Sequence, residues 1–228
     1  MYFHFTNNPY LAMIGDIKDS RKLDNRRYVQ KKLELVLEEI NEEYAKDISS
    51  RFLITLGDEF QGLMCNGANA MNIISKIERI MYPVRIRFGV GVGEITTEIK
   101  KEMSIGADGP GYYNARRAIE YLKDNEKRKQ INAADVRLEV DSINQETTIM
   151  INTILSLMTM LKESWSDRQR QIIFDMLEHQ DSQLKVAERL DIKQPAVQKS
   201  LAKGKYYAYK NALDTIGKAL EEIRRENV

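Results

Sequence analysis

Val84-Arg85-Ile86-Arg87-Phe88-Gly89-Val90-Gly91-Val92-Gly93 is the stretch whose reading decides the fold. Strand side chains alternate, so Val84, Ile86, Phe88, Val90 and Val92 fall on one face, and Arg85, Arg87, Gly89, Gly91 and Gly93 on the other. One face is core; the other is arginine and bare backbone. Upstream, the apolar run Tyr10 to Ile14, closed by Gly15-Asp16, reads as a buried strand. Between the two lie a helical stripe (Val29, Leu33, Val36, Leu37, Ile40, Tyr44), a hairpin and a second helix over 70–80 that stops before Pro83. The hairpin runs through Phe52 to Leu56, turns at Gly57-Asp58 and returns from Glu59 to Met64, which puts an acidic group at its tip.

The order strand, helix, hairpin, helix, strand predicts an α+β fold with a ferredoxin-like, split βαβ sheet, helices on one face and the other face open. A Gly-rich loop from Gly106 to Gly111, a helix from Tyr112 to Lys123 and a charged stretch from Lys123 to Gln130 follow. The first domain is expected to span 1–140. A connecting helix lies in 141–164, where Ile151, Ile154, Leu155, Met158 and Leu161 form an apolar stripe that needs a partner, either the C-terminal part or a second copy. A helical domain fills 165–228. With 228 residues, 43% of them hydrophobic, the chain suits one or two folded domains and excludes a disordered or collagen-like class. Its single cysteine, Cys65, permits no internal disulfide and fits a reducing, cytoplasmic setting. No secretory leader is expected, since the first fifteen residues lack Lys and Arg. No membrane span is expected either, since Asn152, Thr153, Ser156 and Thr159 interrupt the greasiest stretch.

The C-terminal pattern reads as helix-turn-helix. Ser166 and Gln169 make a capping box, Ser182 opens a second helix with Val186, Ala187 and Leu190 inward, and Gln194-Pro195 opens a third with Val197 and Leu201 inward. The whole chain carries a net charge of only +1. Between Ser182 and Lys210, however, seven Lys/Arg face two acidic residues, which makes phosphate contact credible. In that geometry Gln194, Gln198 and Lys199 would meet base edges of double-stranded DNA, with Lys193, Lys203 and Lys205 on phosphates. The bland alternative is a helical bundle with solvated lysines.

The second signal is a pair of carboxylates, Asp16 at the end of the first strand and Asp58 at the hairpin tip. A split βαβ sheet sets that strand beside the hairpin, so the two are expected to converge on the open face and share Mg²⁺ or Mn²⁺ bound to a nucleotide's phosphates. Lys18, Ser20 and Arg21, in the basic loop after Asp16, would receive the phosphate tail. The competing reading is ordinary turn chemistry for both aspartates.

At these residues the first domain resembles the class III nucleotidyl cyclase palm. Asp16 and Gly57-Asp58 match that family's two metal aspartates in order, Arg87 to Gly93 resembles its glycine-bearing strand, and Gly109 to Arg116 resembles the segment carrying a ribose-binding asparagine and a phosphate-binding arginine. Arg116 takes the arginine's place and would be the catalytic group of an enzyme. The resemblance also implies a homodimer, in which that group reaches a site across the interface. It does not extend to base recognition: Tyr112 stands in the asparagine's position, and Ile54 and Ile105 in the two that read the purine. Over nearly its whole length the chain is similar to the SatD family, through Gly15-Asp16-Ile17-Lys18-Asp19-Ser20-Arg21, Gly57-Asp58-Glu59-Phe60-Gln61-Gly62 and the block from Ser182 to Leu201. That likeness supplies an architecture and no activity.

Both signals together favour a DNA-binding transcriptional regulator whose cyclase-like domain senses a nucleotide or related phosphate ligand with Mg²⁺. A regulator whose palm serves dimerisation alone is one alternative. An enzyme making a nucleotide product, with Asp16 and Asp58 on metal and Arg116 on the transferring phosphate, is the other.

Overall fold

The structure, a computed structural model, describes residues 2–5, 8–128 and 134–224. A five-stranded sheet of order β2-β3-β1-β4-β5 is built from β1 (Tyr10–Ile17), β2 (Ile48–Leu56), β3 (Glu59–Met64), β4 (Ile86–Gly93) and β5 (Val136–Glu139). β1 pairs antiparallel with β3 on one side and with β4 on the other, which is the split βαβ order. β5, which no sequence pattern announced, extends the sheet parallel to β4. Residues Ser142–Asn144, read as part of the connecting helix, form a separate short 3-10 turn.

Helices α1 (Arg26–Glu43) and α2 (Ala70–Met81) cover one face. The stripe Val29, Leu33, Val36, Leu37 and Ile40 is buried as its spacing predicts. It packs on Phe52, Phe60 and Phe88, whose burial stabilises the fold by about 1.5 to 3 kcal/mol each. Buried Asn41 fixes α1 to β2: its amide donates to the Phe52 carbonyl (2.9 Å) and its oxygen accepts from the Phe52 N–H (2.7 Å).

The opposite face is not open, and this corrects the sequence reading. Helix α3 (Pro110–Lys127) lies across it, over β4 and β1. It encloses a second apolar cluster of Tyr10, Ala12, Ile14, Leu63, Tyr112, Ala115 and Ile119. The glycine face of β4 is the reason: a Cβ on Gly91 would stand 2.2 Å from the Ala115 nitrogen and the Gly111 oxygen, and one on Gly89 2.3 Å from the Ala115 oxygen. Bare backbone here accepts a helix at close range. Asn114 locks the contact by donating to the Val92 carbonyl at 2.7 Å. β1 is therefore buried on both faces, which explains its unbroken apolar run.

Helix α4 (Gln145–Glu163) runs along the β5 edge. Asn152 both accepts from the Leu138 N–H and donates to the Leu138 carbonyl (2.8 Å each), and Thr159 accepts from the Asp135 N–H. Two of the polar residues that interrupt its apolar run, Asn152 and Thr159, thus satisfy backbone groups at the sheet edge, whereas Thr153 and Ser156 donate to carbonyls of their own helix. Its stripe of Ile151, Leu155 and Met158 finds its partner within the chain. Helices α5 (Asp167–His179), α6 (Gln183–Arg189), α7 (Gln194–Lys203) and α8 (Tyr206–Leu220) follow. Ser166 and Gln169 form the expected capping box, and Ser182 caps α6. Trp165 anchors this block, donating to the Gly204 carbonyl and meeting Phe174 and Tyr209 edge-on. One continuous core runs from Phe3 through the α1–α2 side of the sheet to Ile223. Among the described residues no helix is long and apolar enough to cross a membrane.

Gly91→Ala is expected to lower unfolding free energy by about 1 to 3 kcal/mol in urea titration, because α3 must shift to admit the methyl group. Gly217→Ala, inside α8 with nothing within 4 Å of the added carbon, is expected to be neutral or to stabilise by up to about 1 kcal/mol.

Candidate functional site

Asp16 sits at the end of β1, opposite Glu59 of β3 and Arg87 of β4. The Gly57-Asp58 turn needs a left-handed residue, and Gly57 supplies it at φ 58°. The Ile17 N–H donates to the Asp58 carbonyl at 3.0 Å, so this turn hangs directly beside the strand that carries Asp16. The backbones of the two aspartates are brought together as the topology predicts. Their carboxylates, however, have separate partners.

Asp16 is 6% exposed and lies beneath α3. Arg87 donates to its Oδ2 at 2.5 Å and the Lys123 ammonium lies 2.8 Å from its Oδ1. The Asp58 carboxylate accepts from the buried Ser20 hydroxyl, which places Ser20 as the group that orients Asp58. Glu59 holds Arg116 through both oxygens, at 3.0 and 3.2 Å. Arg116 and Lys123 are seven residues apart, two turns on one face of α3, and they lie over the cross-strand neighbours Glu59 and Asp16. Arg116 thus meets a carboxylate of its own chain.

The network continues inward. Arg87 also grips Glu126 of α3; Glu126 lies 2.5 Å from the Lys18 ammonium; and Lys18 lies 2.7 Å from Asp135. Asp135 also meets Arg85 at 2.9 Å and Lys162 of α4 at 3.6 Å, and Lys162 pairs with Glu78 of α2. Burial alone would raise the Asp135 pKa, but Lys162, Lys18 and Arg85 outweigh it and pull it down to about 2. Burial disfavours the Arg87 charge, yet its bonds to Glu126 and Asp16 prevail and hold its pKa above the ordinary value. For Lys162 the cost of burial is likewise outweighed, chiefly by Glu78, and the ammonium is held charged.

Of the residues expected to take a phosphate tail, Arg21 stands exposed on the 3-10 turn (Ser20–Lys22), whereas Lys18 is turned inward between Glu126 and Asp135. Tyr112 is buried in the cluster under α3, its hydroxyl without a hydrogen-bond partner among the described residues, and burial pushes the phenol's pKa up. Ile54 is half-buried and Ile105 exposed. Arg87, Lys123, Glu126 and Asp135 belong to the site and were missed as site residues. The two arginines on the glycine face of β4 were the available signal. The charged stretch from Lys123 forms the last turn of α3 up to Lys127, and its part from residue 129 lies outside the described residues.

Hard oxygen ligands suit Mg²⁺ or Mn²⁺, but a metal must find a carboxylate oxygen free. Both oxygens of Asp16 are occupied by the chain's own cations. A dication at Asp16 would therefore meet two like charges at contact distance. Among the described residues no group of three or more His, Cys, Asp and Glu is placed to hold a metal ion. As arranged, the site does not fit one.

The class these features define is an α+β protein with a palm-like sheet and an ionic site at the end of its central strand. The chain belongs to the SatD family, whose model matches residues 10–215. No match is found among curated proteins. Two similar solved structures are the catalytic core of a rhodopsin-guanylyl cyclase with converted specificity in complex with ATPαS and a bacterial light-regulated adenylyl cyclase. Their identities are 15% and 16%, each with a TM-score of 0.39 and 61% of this chain covered. The match spans 80% of the first and 44% of the second.

The expectation of a DNA-binding transcriptional regulator is corrected here. The family match carries no DNA-binding role. The counted basic surplus also shrinks on folding, because carboxylates outside the counted window or at its edge take up its members. Arg189 is held by Asp175 and Asp181, and Lys210 by Asp214. Gln194 donates to Gln183 at 2.8 Å and is half-buried. Lys193, Gln198, Lys199, Lys203 and Lys205 are exposed on and around α7, as solvated polar groups of a helical block.

The depressed pKa of Asp135 has a stability consequence of definite sign. Its folded value of about 2 lies below the ordinary 3.8, so its contribution is complete above pH 3.8 and is lost as the pH falls toward 2. The loss expected from this group is about 2 kcal/mol. Asp135→Asn, less stable at neutral pH, is expected to show a shallower decline between pH 4 and 2 when urea midpoints are measured across that range.

Proposed function

We propose that the chain is a nucleotidyl cyclase-like enzyme, a palm that binds a nucleoside triphosphate at the end of β1 and acts on its phosphates. The observation that carries this reading is the meeting, at one end of the sheet, of Asp16 and the Asp58 turn with the α3 cations Arg116 and Lys123. Phosphoryl transfer asks a protein mainly for positioning and for charge complementary to the phosphate oxygens. Arg116 suits that role. Its side chain is half exposed, so its guanidinium can meet a phosphate from solvent, whereas Glu59 is 15% exposed and stays in place. The guanidinium's planar fork matches phosphate oxygens two at a time. Arg21 stands exposed near the Asp58 turn for the distal phosphates, and the Ser20 hydroxyl fixes the Asp58 carboxylate. A divalent ion, Mg²⁺ or Mn²⁺, is implied by the cyclase resemblance, but this reading does not depend on the protein ligating one. Nor does it require a second copy of the chain.

The test is incubation of the full chain with each of the four nucleoside triphosphates, with and without Mg²⁺ or Mn²⁺, and product analysis by ion-pair chromatography. Turnover is expected to fall about 100-fold in Arg116→Ala, the group facing the phosphate, and in Asp58→Asn. Absence of turnover together with no nucleotide-induced rise in Tm would overturn the reading.

A further inference from the structure

We infer that Lys123 is the resident cation of the palm carboxylates: its ammonium stands against Asp16 where the cyclase resemblance places a divalent metal, and it keeps such a metal out. The inference deepens the proposed reading by giving that site a cation of its own.

Asp16 has two carboxylate oxygens, and one cation sits on each. The two are not equivalent. Arg87 has only 12% of its side chain exposed and is also gripped by Glu126, so moving it would strand a second buried carboxylate. Lys123 has 37% of its side chain exposed, comes from the outer turns of α3, and among the described residues makes its ion pair with Asp16 alone. A lysine is a compact point charge on a flexible four-carbon stem, and substituting it frees one Asp16 oxygen without stranding a second carboxylate. Lys123 is therefore the removable half of the Asp16 counter-charge.

The electrostatics argue the same way. With Lys123 in place, Asp16 carries a full complement of positive charge, and a metal approaching Oδ1 meets an ammonium at contact distance. Like charges that close, in a site shielded from water by α3, repel far more strongly than in bulk solvent. With Lys123 removed, Asp16 Oδ1 becomes a free, buried hard oxygen beside the Asp58 turn. Mg²⁺ and Mn²⁺ typically bind through one or two such carboxylates and keep their remaining waters.

Mn²⁺ alone is the probe, followed by electron paramagnetic resonance of the free ion on the full chain without nucleotide. Wild type and Lys123→Arg, which keeps the charge, are expected to leave Mn²⁺ unbound at submillimolar concentration. Lys123→Met is expected to gain one site, at least about tenfold tighter than any in wild type, and Asp16→Asn in the same chain should abolish it. A wild-type chain that binds one Mn²⁺ as tightly as Lys123→Met would overturn the inference, and so would a folded Lys123→Met chain with no new site. If circular dichroism shows Lys123→Met unfolded, Lys123→Gln is read by the same two criteria. Since no nucleotide is present, failure here is distinct from absence of triphosphate turnover, which tests the enzyme reading by itself.

Discussion

The structure depends on a run of buried ion pairs that begins at Asp16 and ends at Glu78: Asp16–Arg87–Glu126–Lys18–Asp135–Lys162–Glu78. It ties β1 to β4, both to α3, and then β5 to α4 and α2. An isolated charge at such depth costs several kcal/mol, so each member is tolerable only because its neighbour is present. Replacing the whole run by apolar residues of matching shape need not weaken the fold, whereas deleting one partner strands another. The network therefore acts on arrangement more than on net stability, and it fixes where α3 and α4 sit relative to the sheet.

α3 shows how such a constraint works together with packing. Three glycines on one face of β4 let the helix approach until backbone meets backbone, and only a helix with small residues, Gly111 and Ala115, at the contact can take that place. Once seated, its charged side chains have no choice of partner. Arg116 falls over Glu59, Lys123 over Asp16, and Glu126 between Arg87 and Lys18. The polar site at the end of β1 is thus a consequence of helix placement, and the glycine face that permits the placement carries no functional group itself.

What could be read from the sequence follows from this. Period-3.6 and period-2 patterns report local burial, and they located α1, α2 and the four strands of the split βαβ unit because each makes its own apolar face. The same alternation could not tell whether the glycine face of β4 met water or a helix, since bare backbone looks alike in both cases. β5 is four residues long, too short for any periodicity to register. The backbone adjacency of Asp16 and Asp58 was legible from chain order, because the hairpin must lie beside β1. Its partners were not, because Arg87 and Lys123 reach Asp16 from distant parts of the chain and only the fold says which charges meet. The basic count around α7 misled for the same reason: a window along the chain cannot see that Asp175, Asp181 and Asp214 neutralise two of the cations counted.

The two ends of the ionic run differ in a way that bears on function. At the inner end Lys162 is 6% exposed, packed among α2, β5 and Tyr209 of α8, and cannot leave without exposing Glu78 and Asp135 to a medium that does not solvate them. At the outer end, beyond Asp16, Lys123 reaches solvent and among the described residues holds Asp16 alone. A chain of charges anchored firmly at one end and loosely at the other yields at the loose end first, since only there does water replace the lost partner. That end lies beside Asp58 and within two helical turns of Arg116. The softest point of the network therefore coincides with the place where an incoming phosphate would compete with Asp16 and Glu59 for their cations.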